Sequence, residues 1–186
     1  NTFTNTIAAA ASAVTLAVAT PAAVEAGWAY DAAGQTLSDG DWTFSASGDQ
    51  AAGLTVTTVL TNGIRGTVDF SLAITDAVQN VYEITTLAGS LFRNNTAVTN
   101  FSLVSSKFRS IGSHAFRGCS ALTNVIFRAP DLRTIGEYAF GFCPALAADI
   151  TNICPPGVTS IGQYAFTDCP LVTGGLTVTN LDELGG

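Results

Sequence analysis

Apolar and polar residues alternate along three stretches of the first half of the chain, at residues 41–45, 54–60 and 67–72. A period of two is typical of β-strands with one buried face, so each stretch predicts a strand. Between the last two, Asn62-Gly63 supplies residues that accept a tight turn. We therefore predict that residues 27–83 form a β-rich N-terminal cap, with a separate small β domain as the alternative.

The second half carries a different apolar pattern, which repeats along the chain. The nine residues from Ile111 to Cys119 recur from Ile135 and again from Ile161, in steps of 24 and 26 residues. An eroded copy lies upstream, with Phe92 and Asn95 at the Phe and Cys positions. The repeated apolar positions predict the core, and they are Ile111, Phe116, Cys119, Leu122, Ile135, Phe140, Cys143, Leu146, Ile161, Phe166 and Cys169.

A repeat of this length predicts a solenoid, in which each copy forms one coil and buries its apolar edge against its neighbours. The stretch 122–127 predicts a short strand in each coil. The Ile-Gly step then predicts a turn into a brief helical or 3₁₀ segment, because glycine adopts dihedrals that other residues avoid. Equivalent residues are expected in rows about 4.8 Å apart, the spacing between strands.

The motif I-G-x-x-A-F-x-x-C-x-x-L resembles the BspA-like leucine-rich repeats of bacterial surface antigens, and the resemblance covers residues 84–186. It implies a leucine-rich-repeat solenoid with a parallel sheet on one face, in a secreted or cell-surface protein. It also implies adhesion to host matrix proteins or to other cells, and it carries over no catalytic residues. The last copy, opened by Leu181 and Leu184, is predicted to be truncated at the C-terminal end.

Residues 1–26 predict a signal-peptide-like segment. The run from Ile7 to Val18 has no charge, and Val24-Glu25-Ala26 follows with small residues of the kind that a signal peptidase reads. The alternative is a buried, Ala-rich helix of the fold. Because the run is too short and too rich in Ala to favour a spanning helix, we predict export and no transmembrane span in the mature chain.

Composition and charge narrow the classes of function. The net charge of −7 and the pI near 4.3 argue against nucleic-acid binding. A single histidine and the lack of close-spaced cysteine pairs leave little for acid–base or metal chemistry. We therefore predict that the chain is not an enzyme and has no cofactor and no metal site.

Four cysteines raise the question of disulfide bonds in an exported protein. Cys119, Cys143 and Cys169 share one repeat position, so we expect a ladder of buried free thiols, which behave as small hydrophobes. Cys154 lies outside the repeated motif. A disulfide bond between Cys154 and Cys143 is the alternative.

One repeat position is aromatic in three successive copies, as His114, Tyr138 and Tyr164. We predict a row of stacked, half-exposed rings. The functional alternative is a strip that contacts a ligand, since amphipathic rings suit contact surfaces. A hydrolase based on His114 is disfavoured because no nucleophile motif accompanies it.

Positive charge is concentrated in the middle of the chain, between residues 93 and 133. Arg109 and Arg133 share a repeat position, so stacking places them side by side, where like charges repel unless an anion or an acid neutralises them. One interpretation is a solvated patch balanced by Asp131, Glu137 or Asp149. The other is a site for an anionic ligand, such as a sulfated glycan, an acidic protein segment or a neighbouring subunit.

These observations predict a binding or adhesion module that recognises a protein or glycan of a host or neighbouring cell. The predicted contacts are Arg109, Arg133, His114, Tyr138 and Tyr164. A structural spacer that binds nothing, within a larger surface protein, is the alternative. End-to-end self-association through the incomplete last coil is a further prediction.

Overall fold

The computed structural model describes residues 27–175, which are built mainly of short β-strands. The predicted signal-peptide-like segment and the predicted last coil lie outside the described residues, so export and end-to-end association stay predictions. The elements in chain order are β1 (Trp28–Asp31), β2 (Thr36–Ser38), β3 (Thr43–Asp49), β4 (Gly53–Val59), β5 (Gly66–Phe70), β6 (Ile74–Thr75), β7 (Val81–Tyr82), β8 (Ile84–Leu87), β9 (Val98–Val104), β10 (Ser110–Ile111), β11 (Asn124–Arg128), β12 (Thr134–Ile135), α1 (Ile150–Ile153) and β13 (Ser160–Ile161).

Ten of these strands join into one sheet, in the order β13-β12-β10-β8-β4-β3-β2-β1-β6-β7. The repeat strands β8, β10, β12 and β13 pair in parallel and in register, so Ile111 lies between Leu87 and Ile135. The cap, residues 27–83, continues the same sheet because β4 pairs in parallel with β8. Strands β1 to β4 of the cap are antiparallel to one another.

The second sheet consists of β5, β9 and β11, and all three strands are parallel. Burial alternates along β11, where Val125 and Phe127 face the core while Ile126 and Arg128 face outward. The alternation is the expected result of a pleated strand with one buried face. Since β5 belongs to the cap and β9 to the repeats, the cap contributes a strand to both sheets. The division of the chain at residues 83 and 84 itself stays a prediction.

A single hydrophobic core runs through the cap and the repeats. The repeat positions predicted from the sequence are buried, except that Phe166 is only partly buried. At the centre of the core, rings from successive coils stack with centroids 5.1, 5.1 and 5.4 Å apart. We call this the phenylalanine column, and its members are Phe92, Phe116, Phe140 and Phe166. Phe44 of the cap meets Phe92 at 5.9 Å and so extends the aromatic packing into the cap.

The glycine of the Ile-Gly step is required for a reason other than the predicted one. A Cβ on Gly136 would lie 2.4 Å from the backbone nitrogen of Ser113 and 2.7 Å from the carbonyl carbon of Gly112. A Cβ on Gly162 would meet the backbone nitrogen of Glu137 at 2.3 Å. Neither glycine has a positive φ. The prediction of an unusual dihedral is therefore wrong, and glycine is needed because neighbouring coils touch backbone to backbone.

The segment after the Ile-Gly step is a run of hydrogen-bonded turns, where the sequence predicted a helical or 3₁₀ segment. Arg117 N donates to His114 O at 3.1 Å, and Cys119 N donates to Phe116 O at 3.1 Å. The left-handed conformation occurs two residues after each glycine, with φ of 63°, 49° and 58° at the repeated aromatic position. A positive φ interrupts a right-handed helix. Among residues 27–175 the one helix is the four-residue α1, which lies in the longer coil.

Candidate functional site

The repeated aromatic position forms a stacked row on the outside of the coils. The rings of His114 and Tyr138 are 5.4 Å apart, and those of Tyr138 and Tyr164 are 4.9 Å apart, both pairs inclined by 29°. Tyr164 is 47% exposed, whereas His114 and Tyr138 are half-buried. The two residues that follow His114, Ala115 and Phe116, point inward and are fully buried. The structure thus brings the three predicted aromatic residues together.

The left-handed backbone at this position belongs to the repeat itself. Ser90 holds it in the coil before His114, with φ of 62°. For a residue with a Cβ, this conformation costs about 1–2 kcal/mol. Cross-coil bonds secure it, since His114 N donates to Glu137 O at 2.8 Å and Tyr138 N donates to Gln163 O at 3.0 Å. The rings are therefore carried on a backbone that is fixed by the coils on either side.

Two residues that the sequence analysis did not assign to this surface complete it. The guanidinium carbon of Arg117 lies 4.9 Å from the ring centroid of Tyr138 and 5.2 Å from that of Phe142. The rings of Tyr138 and Phe142 are nearly parallel, inclined by 8°, with centroids 6.2 Å apart. Phe142 is 40% exposed. We call the set His114, Arg117, Tyr138, Phe142 and Tyr164 the aromatic strip.

A sequence signal for Phe142 exists but is weak. That signal is the spacing, since Tyr138 lies two residues before the inward Phe140 and Phe142 lies two residues after it. In the structure both residues have a positive φ, 49° and 60°. The equivalent residues in the neighbouring coils are Gly118 and Asp168, so an aromatic residue at this position is not part of the repeat motif. The contact with Arg117 depends on the stacking of two coils, which a single copy of the motif does not reveal.

The aromatic strip has the properties of a contact surface. Tyrosine and arginine are enriched among the residues that dominate binding energy at protein interfaces. Stacking holds the rings before any partner arrives, which lowers the entropy lost on binding. Each cation–π contact of Arg117 contributes about 0.5–1 kcal/mol at an exposed site. The strip therefore offers ring edges, tyrosine hydroxyls and guanidinium donors in one fixed arrangement.

The two arginines predicted to lie side by side have adjacent, hydrogen-bonded backbones, but their side chains make different contacts. Arg133 N donates to Arg109 O at 2.9 Å, as the repeat register requires. The Arg133 guanidinium forms an ion pair with Asp131 at 3.1 Å and donates to the carbonyl oxygens of Pro130 and Leu132. Asp131 therefore balances Arg133 within its own loop. An exposed pair of this kind adds only about 0–1 kcal/mol of stability.

The Arg109 side chain is exposed, and no described residue accepts a hydrogen bond from it. Asp149, another of the acids proposed to balance the arginines, has a different role. Its carboxylate caps α1 by accepting from Thr151 N at 2.9 Å and from Thr151 Oγ1 at 2.6 Å. These bonds lower the pKa of Asp149. The arginine pair is thus one neutralised residue and one residue without a partner among residues 27–175.

Three of the four cysteines form the internal row that their repeat position predicts. Cys119, Cys143 and Cys169 are buried, and each Sγ donates to the carbonyl oxygen of a column phenylalanine in the preceding coil, at 3.1, 3.1 and 3.0 Å. Asn95 replaces the thiol in the eroded copy and donates through Nδ2 to Ile64 O at 3.0 Å. Cys154 is buried too, and all four thiols are free, without a bond from Cys154 to Cys143.

Alkaline pH is expected to destabilise the protein through these thiols. Burial raises the pKa of Cys154 to about 12, and the contact with the Cys119 thiol is the main cause that raises the pKa of Cys143 to about 12. In the unfolded chain a thiol titrates near 8.5, so the folded state binds protons more tightly. The contribution of these thiols to the free energy of unfolding is therefore fully present below about pH 8.5. It falls as the pH rises toward 12, by about 1.4 kcal/mol per pH unit for each thiol.

Urea unfolding at several pH values between neutral and strongly alkaline would measure this effect. The free energy of unfolding should fall more steeply above pH 9 for the parent than for Cys154→Ala, which lacks one of the titrating thiols. Parallel pH profiles for the two proteins would contradict the assignment.

The described residues give few other candidates for chemistry. No group of three His, Cys, Asp or Glu side chains within residues 27–175 is placed to hold a metal ion. In the same part of the chain, no helix combines the length and the apolar character needed to cross a membrane. His114 stacks on Tyr138, and its backbone N–H donates to Glu137 O.

Comparison with solved structures gives similar folds. A leucine-rich repeat protein of T. pallidum is 27% identical, with a TM-score of 0.56, over 70% of this chain and 56% of that one. A leucine-rich repeat protein from Bacteroides ovatus is 23% identical, with a TM-score of 0.56, over 72% of this chain and 35% of that one. A leucine rich cell surface protein from Faecalibacterium prausnitzii is 23% identical, with a TM-score of 0.50, over 75% and 41%. This chain therefore spans between 35% and 56% of the length of these three relatives.

Sequence comparison identifies the repeat. Curated protein sequences gave no significant match. The model of the BspA type leucine rich repeat region matches residues 73–183, in six copies. None of the matching descriptions names an enzymatic activity, and the absence of catalysis stays a prediction. With more than half of its length matched, and with the fold shared by solved leucine-rich repeat proteins, the chain belongs to the BspA-type leucine-rich repeat family.

Proposed function

We propose that this chain is a binding module of a secreted or cell-surface protein and that it contacts its partner through the aromatic strip. The observation that carries the proposal is the packing of Arg117 on the half-buried ring of Tyr138 and the exposed ring of Phe142, at 4.9 and 5.2 Å. Exposed rings normally cost solubility, so a preorganised cluster of them favours a contact role.

The partner is a protein or a glycan of a host or neighbouring cell, such as a matrix protein. Coils that stack as a solenoid present equivalent side chains in rows, which suits an extended partner that meets several coils at once. The net charge of −7 opposes nucleic acid as that partner. The surface location is supported by the family and by the description of the Faecalibacterium prausnitzii relative.

The double variant Phe142→Asn/Tyr164→Asn tests this proposal. Both positions have a left-handed backbone, with φ of 60° and 58°, which asparagine accepts more readily than most residues. Asn94 occupies the position equivalent to Phe142 with φ of 61°. The substitutions should therefore remove the exposed rings and leave the coils intact. We expect at least roughly a tenfold loss of affinity, as for the removal of an interface hot spot.

Binding would be measured by surface plasmon resonance against a panel of matrix proteins and cell-surface glycans. Ser90→Asn is the matched control, because Ser90 is exposed and has the same conformation, with φ of 62°. Thermal unfolding of all three proteins would verify folding. Binding that is equal in the double variant and the parent would refute the aromatic strip as the contact surface.

The spacer remains the competing function, and one observation favours it. Arg133 is paired with Asp131 within its own loop, so the predicted pair of unbalanced arginines, which favoured binding over a spacer, is reduced to Arg109. If the parent binds no member of the panel, the spacer becomes the better account of the chain.

A further inference from the structure

We infer that a groove between the cap and the first repeat strands binds a tetrahedral oxyanion, such as the sulfate or phosphate ester group of a larger ligand. This site goes beyond the aromatic strip and uses none of its residues. The groove has a volume of about 490 Å³. Its lining consists of Ala51, Ala52, Thr85, Thr86, Lys107 and Arg109.

Both cations of the groove are directed to the same side of the chain. Lys107 and Arg109 both line the groove, whereas Phe108, which lies between them in the chain, is fully buried in the core. Lys107 Nζ donates to Gln50 O at 2.8 Å and to Ala51 O at 3.4 Å, which fixes the ammonium at the edge of the groove. One of its three N–H donors is left for a ligand.

The walls of the groove are held rigidly against each other. Leu54 N donates to Glu83 O at 2.8 Å, and Thr85 Oγ1 donates to Leu54 O at 3.1 Å. Gly53 has a φ of 82°, and a Cβ there would lie 2.4 Å from Thr85 Cγ2, so the turn between β3 and β4 is seated directly on β8. A site with fixed walls loses little entropy when it binds a small group.

The charge of the lining favours an anion. Lys107 and Arg109 carry two positive charges, and no acid lines the groove. The acids nearest along the chain, Asp49 and Glu83, lie at the margin of the groove, and their carboxylates are already hydrogen-bonded there. The Asp49 carboxylate accepts from the backbone N–H groups of Ala51 and Ala52, and the Glu83 carboxylate accepts from Ser106.

Arg109 differs from its repeat equivalent in a way that identifies it as the recognition residue. Arg133 has Asp131 and two carbonyl oxygens as acceptors, whereas Arg109 has no side-chain acceptor among residues 27–175. A guanidinium donates two parallel hydrogen bonds to a sulfate or phosphate group. Thr86 also lines the groove, and the Lys107 ammonium supplies the second charge.

The test is an NMR titration of the full ¹⁵N-labelled chain with sodium sulfate, with chloride exchanged to hold the ionic strength constant. We expect saturable shifts at the amides of Ala51, Lys107 and Arg109. Arg109→Ala should weaken the apparent affinity by roughly tenfold, because a charge-assisted bidentate contact is lost. Arg133→Ala is the matched control, at the same repeat position, and should bind sulfate as the parent does.

Further arms separate the sources of the anion and the two proposals. Glucose 6-phosphate and N-acetylglucosamine 6-sulfate would show which ester binds more tightly in the same groove. The Phe142→Asn/Tyr164→Asn variant should bind sulfate as the parent does, so failure of the aromatic strip would leave this result unchanged. Shifts that do not saturate, or equal losses in the Arg109 and Arg133 variants, would overturn the proposal.

Discussion

Gly136→Ala is expected to lose about 3 kcal/mol or more of folding free energy, which is large against the stability of a single domain. The added Cβ would lie 2.4 Å from Ser113 N and 2.7 Å from both Gly112 C and Ser113 Cα. These atoms belong to backbone that is itself bonded to the next coil, since Gly136 N donates to Ile111 O at 2.8 Å. The clash is therefore removed only if the two coils separate, which breaks the hydrogen bonds between their strands and disrupts the core at the same time.

Urea unfolding followed by circular dichroism would measure the loss. Gly175→Ala is the control, because its Cβ would meet no described atom within 4 Å, and it should change stability by less than about 0.5 kcal/mol. If Gly136→Ala does not fold, Gly89→Ala provides a graded test, with its nearest atom, Ser113 O, at 3.0 Å. A Gly136→Ala protein as stable as the Gly175→Ala protein would show that the coils are not in backbone contact.

Phe140→Ala should lose about 3–5 kcal/mol, the range for truncation of a buried ring. Phe140 is fully buried in the middle of the phenylalanine column, with neighbouring centroids at 5.1 Å on one side and 5.4 Å on the other. It also meets Phe127 of the second sheet at 6.4 Å. A cavity at this position removes contacts from two coils and from both layers of the fold, and the backbone-paired coils cannot collapse to fill it.

The control for this variant is two residues along the chain. Phe142→Asn removes a ring of the same kind from the exposed surface, at a position where the φ of 60° suits asparagine. We expect that variant to change the free energy of unfolding by less than about 1 kcal/mol. Calorimetric melting of both proteins would decide the matter, and equal losses would mean that the column does not carry the stability assigned to it.

Much of the core was predictable from the sequence because the repeat fixes its own register. Ile111, Ile135 and Ile161 must occupy equivalent places if successive coils pair in parallel, and the pairs Ile111–Ile135 and Ile135–Ile161 show that they do. Once the isoleucines are aligned, the repeated sequence identifies the other inward positions of each coil, even when the conformation of the turns is unknown. The aromatic row was predictable for the same reason.

Other features depend on contacts between coils, which a single copy of the motif does not contain. The need for glycine arises from the backbone of the preceding coil, so dihedral preference alone gave the wrong reason. Arg117 reaches the ring of Tyr138 only when the two coils stack. The neutralisation of Arg133 depends on how the turn at Asp131 folds back, and in the equivalent turn before Arg109 the acid is replaced by Lys107.

The strand that the cap adds to each sheet gives the array a direction. Through β4 and β5 the cap presents two ready templates, on which β8 and β9 pair in parallel. Every later coil pairs only with the exposed strand edges of the coil before it. Adding or removing a whole coil beyond the cap therefore leaves these templates unchanged, so the fold sets where the array begins but not how many coils follow.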